Sequence, residues 1–329
     1  MTLPDPSGAA LFTDRRIGPT ASGRAILGCA SFGGIGSTLS TIGTGLEERE
    51  AFAVMDTAVA LGITIFDTAD GYAGGRSEEI IGAWLVRGGA ATVSTKVGVA
   101  GGTRHGRNLA PERILEHAET SRRRLGLPTL PMYMVHAPDP ERPVADSLRA
   151  FDQLHRDGVI QSLGICNVDV TILEEWLDTA DRLGAIPVSW VQNEYSLIVR
   201  RDETAVLGFC QDHGLAYTAY SPLCGGILAG RYRRGEPPPV NSRIAVLKDQ
   251  YGPRLTDDVY AGLDALADFA GARGVSMAAV ALAWLMTAPT VVTPLVAPRT
   301  PDQFDSVVQA AGLALSADER RELSGLFPG

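Results

Sequence analysis

The strongest constraint on this chain is an alternation. Eight short runs of β-favouring residues recur along it, at 25–28, 63–66, 91–97, 131–136, 159–165, 188–192, 215–220 and 290–296. Apolar runs this short, bounded by Gly and polar residues, read as buried parallel strands. Between them, apolar side chains fall at helical spacing over 47–61, 111–125, 144–156, 172–183, 203–213, 257–273, 276–287 and 301–311, with a last short helix near 316–326. A further helix follows the second run, with Ser77 as its cap, Glu78 and Glu79 in its first turn, and Ile80, Ile81 and Trp84 on its apolar face. Strands joined by helices pair in parallel, and eight such units close into a (β/α)8 TIM barrel. The alternative, an open doubly wound sheet, usually carries GxGxxG after its first strand, where this chain has GCASFGG. The expectation is one barrel domain over residues 1–329, with a small β-hairpin within 9–27 and an irregular loop from 221 to 253.

Composition narrows the function classes. With 45% hydrophobic and 20% charged residues, the chain has the balance of a globular protein with a large core. A formal net charge of -9 argues against nucleic acid or an anionic membrane as a partner. The first twenty residues lack a basic start followed by an apolar run, and the apolar segment 275–286 is too short to span a bilayer. A cytoplasmic protein is expected. Cys29, Cys166, Cys210 and Cys224 show neither CxxC nor zinc-ligand spacing, so reduced thiols and no metal site are expected.

Active-site groups of such barrels project from the C-terminal ends of the strands. Reading those ends in turn gives Asp67, Lys96, His136, Asn167, Gln192 and Tyr220, with Tyr72 in the Gly-rich loop after the second strand. Each alone has a plain structural explanation as a turn, cap or solvated residue. Together they make coherent chemistry. A phenol with a pKa near ~10 is too weak an acid for neutral-pH proton transfer, and a nearby ammonium would lower that value. A carboxylate paired with the ammonium would hold it in place, and an imidazole could orient a carbonyl oxygen. Such a group suits a carbonyl that accepts a hydride.

The chain resembles the aldo-keto reductase superfamily. The matching stretches are FDTADGYAGGRSEEIIGAWL, STKVG, MYMVHAPDP, SLGICN, VQNEYSL, AYSPLCGGILAGRY and VAPRTPDQFD, in the family's order and over nearly the whole chain. The resemblance implies bound NADPH or NADH and hydride transfer to an aldehyde, ketone or sugar lactol. It implies Tyr72 as general acid, Lys96 as the cation that tunes it, Asp67 as the positioning carboxylate and His136 as the orienting imidazole. Asn167 and Gln192 would hold the nicotinamide carboxamide, with Cys166 beside them where Ser is frequent. Tyr220 would stack on the ring, and Gly28, Cys29 and Ala30 would approach the ribose. Ser221, Leu223, Gly225 and Gly226 occupy the pyrophosphate position, Ser242 and Arg243 the cofactor-covering loop, and Arg299 and Gln303 the adenosine-phosphate clamp. Ser306-Val307 stands where a Glu-Asn pair commonly touches adenine, whereas Arg299 favours NADPH because a bidentate cation suits a 2′-phosphate. The substrate wall would include Phe32, Ala137 and Trp190. Two rivals remain at this stage: a Schiff-base aldolase using Lys96, and a nucleotide-sensing regulatory subunit of the kind the potassium-channel β subunits resemble.

Overall fold

The computed structural model describes residues 15–17, 20–22, 24–99, 106–240, 242–290 and 292–327. Strands β1 (Arg15–Ile17) and β2 (Thr20–Ser22) pair antiparallel with Arg15 opposite Ser22, which is the expected hairpin; Gly18 and Pro19 lie outside the described residues. Then β3 (Ile26–Gly28), α1 (Glu48–Ala60), β4 (Ile65–Asp67), α2 (Arg76–Val86), β5 (Thr92–Val97), α3 (Pro111–Leu125), β6 (Met132–Val135) and α4 (Val144–Arg156) alternate. The alternation goes on through β7 (Leu163–Cys166), α5 (Val170–Leu183), β8 (Val188–Glu194), α6 (Val206–Asp212) and β9 (Ala216–Tyr220). Two one-turn helices follow, α7 (Arg243–Val246) and α8 (Lys248–Tyr251), then α9 (Asp257–Ala272), α10 (Met277–Met286), β10 (Val292–Val296), α11 (Asp305–Gly312) and α12 (Ala317–Gly325). The eight strands β3 to β10 are parallel, and β10 pairs with both β9 and β3, so the sheet closes into a (β/α)8 barrel.

The pleat decides which side chains meet. Successive residues of a strand point to opposite faces, so alternate positions fill the barrel and the others pack under the helices. Ile26, Ile65, Met132, Met134, Cys166, Trp190 and Leu295 form the small core inside the barrel. Phe66, Val93, Tyr133, Ile165 and Val191 belong to the larger core between strands and helices. The helix α10 is apolar all round and buried from Ala278 to Met286, as a helix covered on every side must be. Among the described residues, no single helix is long and apolar enough to cross a membrane.

Several boundaries differ from expectation for local reasons. Residues 159–162 keep only an isolated parallel bridge of Ile160 to Leu130, because the N–H groups of Val159 and Ile160 both return to the Leu154 carbonyl at 2.8 and 3.2 Å. The expected 203–213 helix divides into a 3-10 turn at Arg201–Glu203 and the shorter α6. The loop after β9, expected to be irregular, holds a 3-10 turn at Cys224–Ala229 together with α7 and α8. Ser77 does not cap α2. That helix starts one residue earlier behind the left-handed Gly75 (φ 101°), while the Ser77 hydroxyl donates to the Cys29 carbonyl at 2.9 Å.

Candidate active site

At the C-terminal mouth of the barrel, β4 and β5 set an ion pair side by side. Lys96 is fully buried, and its ammonium donates to the Asp67 carboxylate, to the Thr68 carbonyl at 2.7 Å and to the Tyr72 hydroxyl at 3.4 Å. The second Asp67 oxygen accepts from the Gln192 amide at 3.0 Å. A buried ammonium and carboxylate are tolerable only when each finds such partners. Tyr72 opens a 3-10 turn that continues through left-handed Ala73 (φ 49°) and Gly74 (φ 67°). Its ring meets the His136 imidazole edge to face, with centroids 5.5 Å apart. The backbone N–H of His136 donates to the Val97 carbonyl at 2.8 Å, which holds the residue's main chain at the strand end.

Electrostatics refine the expectation for Tyr72. Burial of its hydroxyl pushes the phenol pKa up, the Lys96 ammonium pulls it down, and the Asp67 carboxylate pushes it up again. The net direction is up, so Lys96 moderates the effect of burial rather than making a strong acid. Burial opposes the charge on Lys96, yet Asp67, Tyr72 and Cys166 together hold its pKa above the ordinary lysine value. The phenol and the ammonium are both protonated at neutral pH. A neutral amine, which Schiff-base chemistry on Lys96 would need, is disfavoured by this pairing.

Asn167 takes a left-handed conformation (φ 63°), one that Asn tolerates better than most residues. Its amide donates to the His136 carbonyl at 2.8 Å, and its oxygen accepts from the Tyr220 hydroxyl at 2.7 Å. Burial pushes the Cys166 thiol up to about 12, so it stays a thiol, and its sulfur accepts from the Asn167 amide at 3.1 Å.

These groups face a cavity of about 1030 Å³ that runs from Tyr72 and His136 to Arg299 and Gln303. Gly28, Ala30, Asp67, Ala137, Cys166, Asn167, Gln192, Tyr220, Ser221, Leu223, Gly225 and Arg243 line it, as the sequence reading expects. Lys96 lies behind Tyr72 rather than in the wall. Four expected contacts do not line it. Cys29 and Phe32 are buried in the outer core, the former with its thiol donating to the Leu27 carbonyl at 3.6 Å. Ser242 is buried as the cap of α7, accepting from Ala245 N–H at 3.2 Å. Trp190 fills the barrel below the site, in space left by Gly164, where an added Cβ would stand 2.2 Å from the indole.

The far end of the cavity is cationic. Arg231, Arg243 and Arg299 all line it, and the Arg299 pKa is lowered by burial and then by the charges of Arg231 and Arg243. Repelling guanidinium groups at a cavity wall are relieved by an anion. Between the two ends, Ser221 (φ 54°) and the run Cys224 (φ 48°), Gly225 (φ 67°) and Gly226 (φ 95°) are left-handed. Here Tyr251 packs so closely on Gly225 that a Cβ would come within 2.9 Å of its ring, and its hydroxyl lies 2.8 Å from that of Ser221. An elongated cavity, apolar and hydrogen-bonding at one end and cationic at the other, fits a phosphorylated dinucleotide. The sequence reading does not single out Arg231, Tyr251, Glu194 or Arg107, which also line the cavity. Arg231 carried a signal, as the first basic residue after the Gly-rich turn.

A closed parallel barrel with a buried Asp–Lys pair, a tyrosine and a histidine at its C-terminal mouth is an arrangement suited to a carbonyl-reducing oxidoreductase. The chain belongs to the Aldo/keto reductase family, whose model matches residues 26–326. It is 30% identical over 300 residues to the uncharacterized oxidoreductase YrpG of Bacillus subtilis, covering 87% of this chain and 90% of that one. It is 29% identical to a probable voltage-gated potassium channel subunit beta of Arabidopsis thaliana, over 83% of this chain and 93% of that one. Among solved structures, the glycerol dehydrogenase AKR11B4 from Gluconobacter oxydans superposes with a TM-score of 0.81 at 27% identity, covering 96% of this chain and 95% of that one.

Proposed function

We propose that this chain is a single-domain cytoplasmic reductase that transfers hydride from NADPH, and less readily from NADH, to a small aldehyde, ketone or sugar carbonyl. One observation carries the reading: the buried Asp67–Lys96 pair directs an ammonium at the Tyr72 hydroxyl beside the His136 imidazole. The dinucleotide supplies the hydride when bound. Arg231, Arg243 and Arg299 would hold its phosphates, Arg299 with Gln303 at the 2′-phosphate, and Tyr220, Asn167 and Gln192 its nicotinamide end. Tyr72 then gives its proton to the carbonyl oxygen as charge develops there, and Lys96 stabilises the phenolate left behind. His136 orients the same oxygen. The raised Tyr72 pKa keeps the proton in place for the reductive direction.

The name of the glycerol dehydrogenase neighbour makes glyceraldehyde a natural first substrate. The test is a screen of glyceraldehyde, 4-nitrobenzaldehyde and aldoses with NADPH and with NADH, following loss of the reduced-nicotinamide absorbance. Turnover with at least one carbonyl, faster with NADPH, is expected. A second reading, a nucleotide-sensing regulatory subunit, is supported by likeness to probable voltage-gated potassium channel β subunits. Tight NADPH binding without turnover across the whole panel would favour it instead.

A further inference from the structure

Behind the Tyr72 loop, on the outer face of the barrel, lies a seam of charge that the proton relay does not use. Helix α3 presents Arg113, His117, Ser121 and Arg124 at spacings of four, four and three residues, which puts all of them on one face. That face meets the segment joining β4 to the Tyr72 turn. The Asp70 carboxylate, 1% exposed, lies 2.7 Å from His117 Nδ1 and 3.5 Å from Arg113 Nη2. The Asp70 carbonyl accepts from Arg124 Nη1 at 3.2 Å, and its N–H donates to the Lys96 carbonyl at 3.0 Å. Arg124 also pairs with fully buried Glu78 at 3.1 Å, and the other Glu78 oxygen accepts from Thr95 at 2.6 Å. Asp70 is therefore tied through its main chain to the strand carrying Lys96, and through its side chain to α3. Tyr72 follows two residues later, with its N–H bonded to the Ala69 carbonyl at 3.1 Å.

Stability alone does not account for this seam. Burying two carboxyl groups beside two guanidinium groups and an imidazole carries a desolvation cost, and well-packed apolar residues are often as stable or more so. What ions add is a fixed arrangement of their neighbours. Such fixing matters here because the Lys96 ammonium is already 3.4 Å from the Tyr72 hydroxyl, at the long limit of a hydrogen bond. A small drift of the loop would uncouple the two. We propose that Asp70, held by His117 and Arg124 of α3, is a positioning residue that sets the register of the Tyr72 hydroxyl against Lys96. The inference rests on the reading of Tyr72 as proton donor.

The test uses the full-length protein with NADPH and glyceraldehyde, or 4-nitrobenzaldehyde where that turns over faster, and Tyr72→Phe as the reference. Asp70→Asn keeps the shape and removes the charge. It should lower kcat by about 100-fold, the scale of a ~1 Å misplacement, while the substrate KM and the NADPH Kd, read by fluorescence, stay within about twofold. His117→Leu removes the donor from a partly exposed position and should lower kcat by roughly 10-fold, and His117→Asn, which restores an N–H near Nδ1, should recover most of that loss. A purely structural seam would instead change melting temperature without a split between kcat and KM. The proposal is overturned if Asp70→Asn keeps kcat within about threefold of the parent, or if the two His117 variants behave alike. If Tyr72→Phe itself turns over normally, the proton-donor reading fails first. An inactive Tyr72→Phe beside a fully active Asp70→Asn removes the seam alone.

Discussion

The two ends of the cavity are built on different principles. At the relay end, Asp67, Lys96 and Gln192 stand on adjacent or facing strands, and every polar atom of the ion pair is tied to barrel backbone or to another strand. At the cationic end, Arg231 and Arg243 come from a long connection between β9 and α9. That connection is held by buried Ile227, Leu228, Ile244 and Tyr251 and by a bidentate pair between Arg254 and Glu194 at 2.6 and 3.0 Å. The first end is rigid because strand register fixes it. The second is an applied strap held by its buried apolar side chains and a few polar tethers. The Asp67–Lys96 pair sits on the strands and Tyr72 on the turn that follows β4, whereas the strap contributes cationic wall at the other end.

Breaking the rigid end should produce the largest effects. Lys96→Met strands a buried Asp67, so a loss of about 3–5 kcal/mol of stability by denaturant titration is expected, together with a kcat lower by roughly 10³-fold or more. Gly164→Ala forces the Trp190 indole to move within the barrel and should cost about 1–3 kcal/mol, with its effect on turnover confined to what the shift transmits to Gln192. At the strap end the effects become ligand-specific. Arg299→Ala should raise the KM for NADPH by ~10-fold or more and that for NADH by less than about twofold, since one charge-assisted pair to phosphate is lost. Equal effects on both would remove Arg299 from the 2′-phosphate. Glu194→Gln releases the tether on Arg254 and should speed NADPH dissociation by a few-fold in stopped flow while the hydride step is unchanged. The smallest effect concerns pH. Because the Tyr72 pKa is raised, its proton is retained through neutral pH, so kcat for reduction should vary by less than about twofold from pH 6 to 9 and fall only above about 10.

The same contrast explains what could be read from residues alone. Asp67, Lys96, His136, Gln192 and Tyr220 were legible because the end of a buried strand is visible as the point where an apolar run turns polar, and closure of the barrel does the rest. Trp190 was misplaced for a related reason. Its pattern says that it faces inward, but only Gly164 on the neighbouring strand reveals that the ring lies below the site rather than in its wall. Phe32 belongs with it, an apolar residue next to a functional loop that pairs with Leu46 and packs away from the cavity. In the strap, Ser242 looked like a ligand and is a cap. Nothing in composition announces two one-turn helices whose lengths are set by tertiary contacts such as Tyr251 on Gly225. The seam on α3 was present in the periodicity of Arg113, His117 and Arg124, yet its meaning depends on Asp70 lying opposite.

The central claim is that a phenol backed by a buried ammonium gives its proton to the carbonyl oxygen during hydride transfer. Single-turnover kinetics with prebound NADPH test it most directly, comparing the parent chain with Tyr72→Phe at saturating carbonyl. Equal NADPH affinity and a hydride step slower by roughly 10³-fold or more are expected in the variant. A hydride step of comparable rate in both proteins would contradict it.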